Sequence, residues 1–331
     1  MIKSDAIQIN PEILKLIAAI DEFKGAWHAQ SSPAPAVMAA LRMSATAASI
    51  GASTRMEGGE LDDSEVERLL AGAHTDSLSR ELSAHATLLE VVHNSWGKIP
   101  FTGAHLKQMH RILFHHSEQD AGHRGTFKNI DVNAPMRELL AWHREASEAE
   151  ELHPLLVIAV CLAAFLKITP FTAGNIRLAG VITSLLLLRA GYTFAPYVSV
   201  DRIMEKKRDM AMLVLWQTQA DMEKGDANWQ PWLLFFLSSL REVTRDLNQQ
   251  VSQQNQTPAV LPTLSQQIVA LANERGRITI GDVIKFTGTS RNTLKQHFRY
   301  LVARGYLHQY GGGRGVWYQP VMPNETFLRQ A

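Results

Sequence analysis

The sequence predicts a mainly α protein, a helical bundle followed by a small α+β domain, and three observations point there. Apolar residues recur at helical spacing through most of the first 248 positions, whereas β-prone pieces with tight glycine turns gather near the end of the chain. Between the two lies "NQQVSQQNQTPAVLPT", a glutamine-rich stretch punctuated by prolines that reads as a linker. The expected division is residues 1–100, 101–248, a linker over 249–263, and 264–331. At 331 residues and 46% hydrophobic content the chain can fill more than one core.

The elements follow in order. Pro11 opens a helix in which Ile13, Leu16, Ile17, Ile20 and Phe23 share one face, and "SSPAPA" at 31–36 ends it. A second helix is expected from Val37 to about Ser49. "LDDSEVERLLAG" has an acidic, cap-like start and an apolar face of Val66, Leu69 and Leu70, while "GAHLKQMHRILFHH" repeats the pattern with Leu106, Met109, Ile112 and Leu113. The stretch 122–135, "GHRGTFKNIDVNAP", breaks helical periodicity with glycine, asparagine and proline, and is read as a loop or short flap hairpin. Two strongly apolar helices, 154–167 and 177–189, are central because no face of either is polar.

Charge and cysteine content narrow the function classes. The balance of 33 basic and 32 acidic residues excludes a surface that binds polyanions everywhere. Nine basic and three acidic residues follow Thr257, however, so positive charge is concentrated in the C-terminal domain. The single cysteine, Cys161, cannot form an intramolecular disulfide and reads as a buried thiol. The N-terminus lacks the apolar core of a signal peptide, and the longest apolar run, Leu155 to Leu166, is shorter than the ~20 residues of a membrane span. A cytoplasmic protein with no membrane partner is expected.

In the C-terminal domain, Ile268, Leu271 and Ala272 face inward from one helix, "RITIGD" supplies a short strand, and a second helix runs from Asp282 to Phe286. Ser290 caps a third helix whose apolar face is Leu294, Phe298, Leu301 and Val302, with Arg291, Asn292, Lys295, Gln296 and Arg299 opposite. "YLHQY", "GGGRG" and "VWYQP" form a hairpin with Arg314 at its tip. This order resembles the winged helix-turn-helix family. The resemblance implies a recognition helix from Ser290 and duplex DNA as partner, bound by a two-fold homodimer; amide and guanidinium side chains suit base edges, and lysines and arginines suit phosphates. The alternative is a protein-docking or dimerisation module with a solvated basic face.

A second resemblance covers the rest of the chain. "TPFTAGNIRLAG" (169–180) matches the frame of the Fic motif, HPFx(D/E)GNGRxxR, and Ser53, Glu57 and Gly58 in "SIGASTRMEGGEL" have the spacing of that family's inhibitory motif, (S/T)xxxE(G/N). The chain thus resembles bacterial Fic proteins that carry an N-terminal inhibitory helix and a C-terminal winged helix. The resemblance implies a Fic-like all-helical bundle that moves AMP from ATP to a protein hydroxyl, with histidine as base, the acidic residue on Mg²⁺, the glycine-rich turn cradling phosphates and two arginines contacting them. Phe171, Gly174, Asn175 and Arg177 remain as a residual anion or nucleotide pocket.

Four family positions are replaced. Thr169 cannot act as a base near neutral pH, which removes a step typically worth ~10²–10⁴ in rate. Ala173 offers no oxygen to a metal. Ile176 puts a β-branched side chain where glycine permits an unusual turn. Gly180 removes the arginine that would pair with the inhibitory glutamate, so Glu57 needs another donor, such as Arg177 or an amide at the following helix start. No other histidine is placed to substitute: His110, His115, His116, His123, His143 and His153 belong to other elements, and adjacent histidines at 115–116 do not make a metal site.

The expected function is therefore a non-catalytic Fic-like protein acting as a DNA-binding transcriptional regulator. Its Fic fold would serve dimerisation, a protein partner or ligand sensing, with no metal or cofactor. The alternatives are an adenylyltransferase with altered chemistry, which would use ATP and magnesium, and a toxin-antitoxin-like module.

Overall fold

The protein is known here from a computed structural model, which describes residues 2, 4–29, 35–72, 76–117, 122–224, 227–256, 263–303, 306–311 and 315–320. The chain divides into two compact units, Met1–Ser252 and Gln253–Ala331. The architecture is helical throughout the first unit, with a small two-stranded sheet in the second.

The first unit begins with α1 (Pro11–Ala29), α2 (Pro35–Met56), α3 (Asp63–Ala71), α4 (Ser77–Ser95) and α5 (Gly103–Leu113). It continues through α6 (Asn133–Ala149), α7 (Pro154–Ile168), α8 (Asn175–Arg189), α9 (Val200–Lys206), α10 (Arg208–Lys224) and α11 (Gln230–Gln256). α7 is the centre: every residue from Leu155 to Phe165 is buried, because α6, α8 and α10 pack around it and the indole N–H of Trp232 on α11 donates to the Ala159 carbonyl at 2.7 Å. Each buried leucine, isoleucine or phenylalanine there contributes roughly 1.5–3 kcal/mol. Cys161 lies in this core, and burial pushes its thiol well above the ordinary range, which leaves it inert. Among the described residues no helix is long and apolar enough to cross a membrane.

Three boundaries differ from the sequence expectation. α2 continues past Ser49 to Met56, since Ser53 turns its hydroxyl back onto the Ser49 carbonyl (2.7 Å) inside the helix, and Ile50 and Ala52 keep the buried face continuous. The stretch 122–135 is not a hairpin: it forms turns and a 3-10 turn at Ile130–Val132, with no strand among its described residues. Its backbone has another partner, because the Lys128 amide donates to the Pro170 carbonyl (2.9 Å) and Asn129 caps the 3-10 turn. α11 runs to Gln256, into the stretch read as linker; residues 257–262 lie outside the described ones.

The second unit contains α12 (Thr263–Arg275), α13 (Ile280–Thr287), α14 (Arg291–Ala303) and the antiparallel pair β1 (Leu307–Tyr310) and β2 (Trp317–Pro320). "RITIGD" gives only a single bridge, Ile278 to Tyr318, with both amides donating at 2.8 Å. α13 begins at Ile280 because Thr279 and Asp282 form a capping box, and it stops at Gly288, whose φ of 68° a side chain would resist. Ile268, Leu271, Val283, Leu294, Phe298 and Tyr318 make a small core, in which the Phe298 and Tyr318 rings lie 4.3 Å apart.

Candidate functional site

The loop between α7 and α8 is held from three sides. Thr169 ends α7 in the left-handed region (φ 42°), an uncommon place for a β-branched residue, and its amide closes on the Phe165 carbonyl at 2.9 Å. Asn175, the first residue of α8, bonds both backbone groups of Phe171: its Nδ2 donates to the carbonyl at 2.8 Å and its Oδ1 accepts from the amide at 3.1 Å. This side chain fixes the loop from within. Gly174 has φ 73°, and a Cβ there would meet the Phe114 ring at 2.3 Å, so backbone shape and close approach both require glycine.

His110 belongs to another element, α5, as expected, yet it reaches this loop, with both ring nitrogens engaged. Its ring stacks on Phe171 at 4.0 Å and 8°, its Nδ1 accepts from the Gly125 amide at 3.0 Å, and its Nε2 meets the Ala173 carbonyl at 3.1 Å. The Nδ1 acceptor role fixes the proton on Nε2, so the ring is a neutral strut between the 122–135 stretch and the loop. Lys128 adds a second strut, its Nζ donating to Thr169 Oγ1 at 2.9 Å. Arg124 is tied to the Ser117 carbonyl. His153 is remote, capping α7 and pairing with Asp21 at 3.0 Å. His115 and His116 are exposed, and the described residues contain no group of three or more potential metal ligands.

Glu57 occupies the start of α8. It leaves α2 one residue after the helix ends, where Gly58 (φ 100°) turns the chain, and its carboxylate reaches the opposite pole of another helix. Oε1 accepts from the amides of Ile176 (3.1 Å) and Arg177 (3.3 Å), and Oε2 pairs with Arg177 Nε at 2.6 Å. Both side chains are 18% exposed. A carboxylate is disfavoured at its own helix's C-terminus and favoured at another's N-terminus, so the electrostatics of the two ends agree. Arg177 also lies over the Phe114 ring at 4.9 Å. Ser53 meets Glu57 through the backbone, its carbonyl accepting from the Glu57 amide at 3.3 Å, while its hydroxyl donates within α2 to the Ser49 and Ile50 carbonyls.

Ile176 is not strained. It is the second residue of α8 with a negative φ, and it contributes its amide to Glu57, because the left-handed turn is made one step earlier by Gly174 and Asn175 already carries the helix. At Gly180 a Cβ would lie 2.5 and 2.6 Å from the two carboxylate oxygens of Asp201, so the backbone of α8 is in close contact with that acid. Asp201 is half-buried as a residue, but burial around the carboxyl pushes it up to about 7, against a smaller downward pull from Ser49.

Two further groups escaped the sequence reading. His85 on α4 is buried, and desolvation, with Arg177 nearby, holds it down at about 3, so it stays neutral. Arg55 makes a bidentate pair with Glu205 (2.5 and 2.8 Å) and bonds Asp63 (2.9 Å), tying the end of α2 to α9 and α3 and so setting where Glu57 emerges. The only prior signal for such groups is a polar residue on an otherwise apolar helical face, as with His110 among Leu106, Met109 and Leu113.

The donors at the start of α8 are directed to Glu57, and Ala173 brings no side-chain oxygen to the loop.

In the second unit, Arg291, Asn292, Lys295, Gln296 and Arg299 are exposed along α14, opposite buried Leu294, Phe298 and Leu301. Ser290 caps the helix through the Thr293 amide (3.3 Å). Arg314 lies outside the described residues.

Residues 100–187 match the family model described as Fic/DOC family, and residues 254–320 match one described as a bacterial protein of unknown function (DUF977). Among solved structures, the chain is similar to a Fic family protein from Desulfovibrio desulfuricans G20 at 19% identity and TM-score 0.62, covering 96% of this chain and 98% of that one. A Fic domain containing signaling protein from Bacteroides thetaiotaomicron VPI-5482 matches at 16% identity and TM-score 0.55, covering 72% of this chain and 96% of that one. Fic-1 from C. elegans matches at 13% identity and TM-score 0.59, covering 73% of this chain and 72% of that one. The fold is therefore the helical Fic fold followed by a small α+β unit.

Proposed function

We propose that the protein is a DNA-binding regulator whose Fic-like unit transfers no nucleotide. The observation that carries the reading is the face of α14: five polar or basic side chains stand exposed on one side while the other is locked into a core. As the third helix before a hairpin, α14 has the position of the recognition helix in a winged helix-turn-helix, and Ser290 at its start suits a phosphate contact. Its side chains include two arginines, a lysine and two amides, the types that read guanine and adenine edges in the major groove. A homodimer would present two such helices to a two-fold operator.

For the Fic-like unit, the lack of transfer chemistry rests on four groups. Thr169 supplies no base, Ala173 no metal oxygen, Gly180 no guanidinium, and the anion-binding start of α8 already holds Glu57. The unit then acts as the body that dimerises, binds a partner or senses a ligand. Electrophoretic titration of the full chain with genomic duplex fragments tests the DNA reading. Affinity is expected to fall steeply as salt rises, and replacing Arg291, Lys295 and Arg299 with alanine should flatten the slope of log K against log salt by about one for each phosphate no longer neutralised. No duplex binding at low salt overturns it.

One observation favours a second reading. A carboxylate paired with Arg177 at an anion site is what a nucleotide-transfer enzyme held off by its own chain would show. Incubation of the Glu57→Gly protein with radiolabelled ATP and magnesium separates the two: label on the protein or on an added target supports the enzyme, and none supports the scaffold.

A further inference from the structure

A groove of about 500 Å³ lies in the first unit, at the opposite end of α8 from Glu57. One wall is a stripe of α6 in which Arg137, Leu140, Ala141 and Arg144 follow at i, i+3, i+4 and i+7, so two arginines stand two turns apart with apolar residues between them. Pro100 and Phe101, in the segment before α5, and Arg189, the last residue of α8, also line it. A volume of roughly 300–1,000 Å³ is the range of small-ligand sites.

Three guanidiniums and one carboxylate, Glu148, line the groove, and all four side chains are exposed. Arg137 and Arg144 make no hydrogen bond or ion pair among the described residues, and neither does Glu148. Arg189 donates from Nη1 to the Ile99 carbonyl at 3.0 Å, and no carboxylate pairs with it among the described residues. His143 adds no charge near neutral pH: burial, and then Arg189, hold it down at about 4, and its ring lies 4.8 Å from that of Phe101. The other acids of this stretch, Glu145, Glu150 and Glu151, do not line the groove. It therefore carries two positive charges in excess, within a unit whose acidic residues outnumber its basic ones. Like charges gathered around one concave surface repel one another, and an anion of matching charge removes that repulsion.

A guanidinium offers paired N–H groups that fit the oxygens of carboxylate and phosphate alike. Charge separates the two. A monocarboxylate leaves one positive charge over, whereas a phosphate monoester, at about −1.5 to −2 near neutral pH, balances both. The apolar lining formed by Pro100, Phe101, Leu140 and Ala141 would stay in water under inorganic phosphate and is covered by an apolar body attached to it.

We propose that this groove binds a small organic phosphate with an apolar body, its phosphate among Arg137, Arg144 and Arg189 and its body on Phe101 and Leu140. The inference stands independently of DNA binding. Such a ligand ties α6 to the end of α8, both of which pack against α7.

The test uses the full chain without DNA, at about pH 7.5 and fixed ionic strength, titrated by calorimetry with phenyl phosphate, inorganic phosphate and benzoate. Phenyl phosphate is expected to bind about tenfold more tightly than either of the others. The double variant Arg137→Gln, Arg144→Gln, whose changes are at exposed positions, should bring phenyl phosphate down to the level of benzoate. Glu148→Gln should tighten phenyl phosphate by about threefold, a gain that misfolding cannot imitate. Alanine at Arg291, Lys295 and Arg299 of α14 should leave the preference intact. Equal affinity for phenyl phosphate and inorganic phosphate, a preference that survives the double variant or is lost with the α14 changes, a Glu148→Gln protein no tighter than the parent, or no binding of phenyl phosphate at millimolar concentration overturns the proposal.

Discussion

Replacing Glu57 with glutamine keeps the side chain's size and changes only its charge and one set of lone pairs. The amide oxygen can still accept from the Ile176 and Arg177 amides, but its nitrogen then faces Arg177 Nε across 2.6 Å, donor against donor. The loss is one charge-assisted hydrogen bond, about 1.5–3 kcal/mol, and the favourable charge at a helix start, about 0.3–1 kcal/mol. Relaxation of Arg177 toward solvent and the Phe114 face recovers part, so a net cost of about 2 kcal/mol is expected. In a unit of this size that corresponds to a melting temperature lower by about 4–8 °C, measured by calorimetry or by urea denaturation with an unchanged m-value. Glu57→Ala empties the cradle, and sulfate should then stabilise the variant more than the parent, by about 1.4 kcal/mol at ten times its Kd. A glutamine variant within about 0.5 kcal/mol of the parent, with the same sulfate dependence in both backgrounds, would refute the reasoning.

Further outcomes follow from neighbouring groups. Gly180→Ala should destabilise by about 1–3 kcal/mol, since its Cβ would overlap Asp201, and most of that should return in an Asp201→Ala background; additive losses in the double variant would contradict the contact. Asp201→Asn should stabilise the protein at pH 8, because an acid whose folded value is raised to about 7 opposes folding once ionised; the gain should fade below about pH 4, where the parent's acid is protonated folded or unfolded. His85, His93 and His143 are held down by burial at about 3, 4 and 4. Folded values below the usual ~6.5 mean that stability is full above that pH and falls by up to ~1.4 kcal/mol per pH unit per histidine on acidification toward about 4. A urea midpoint that stays flat from pH 7 to 5 would sink this.

Much of the frame was legible in the sequence because it rests on local rules. Pro11 and Pro154 start helices, Asp62 caps α3, Gly288 ends α13, and unbroken apolar residues put α7 at the centre. The helix–loop–helix carrying Gly174, Asn175 and Arg177 was visible for the same reason. Its supports were not. His110 lies more than sixty positions from Ala173, and nothing local distinguishes it from a cap or surface histidine until Phe171 is laid against it. Of the two readings of 122–135, loop or hairpin, the loop is the one found, and Lys128 pairs with Pro170 across the fold, a partner that propensity cannot name. Strain expected at Ile176 was misplaced by two residues, since Gly174 absorbs the turn. Glu57 was the instructive intermediate: its need for a donor followed from charge alone, and the two candidates named by that argument, Arg177 and an amide of the next helix, are both its partners.

The contact between Gly180 and Asp201 also limits which neighbouring sequences this fold can reach. A side chain at 180 requires the carboxylate of Asp201 to shift, at the cost of about 1–3 kcal/mol expected for alanine, and a shorter residue at 201 relieves that cost. Position 180 is thus coupled to position 201. An arginine there is reached at lower cost when the change at 201 comes first, which makes the order of substitutions, as well as their number, part of the barrier between this loop and one with a second guanidinium.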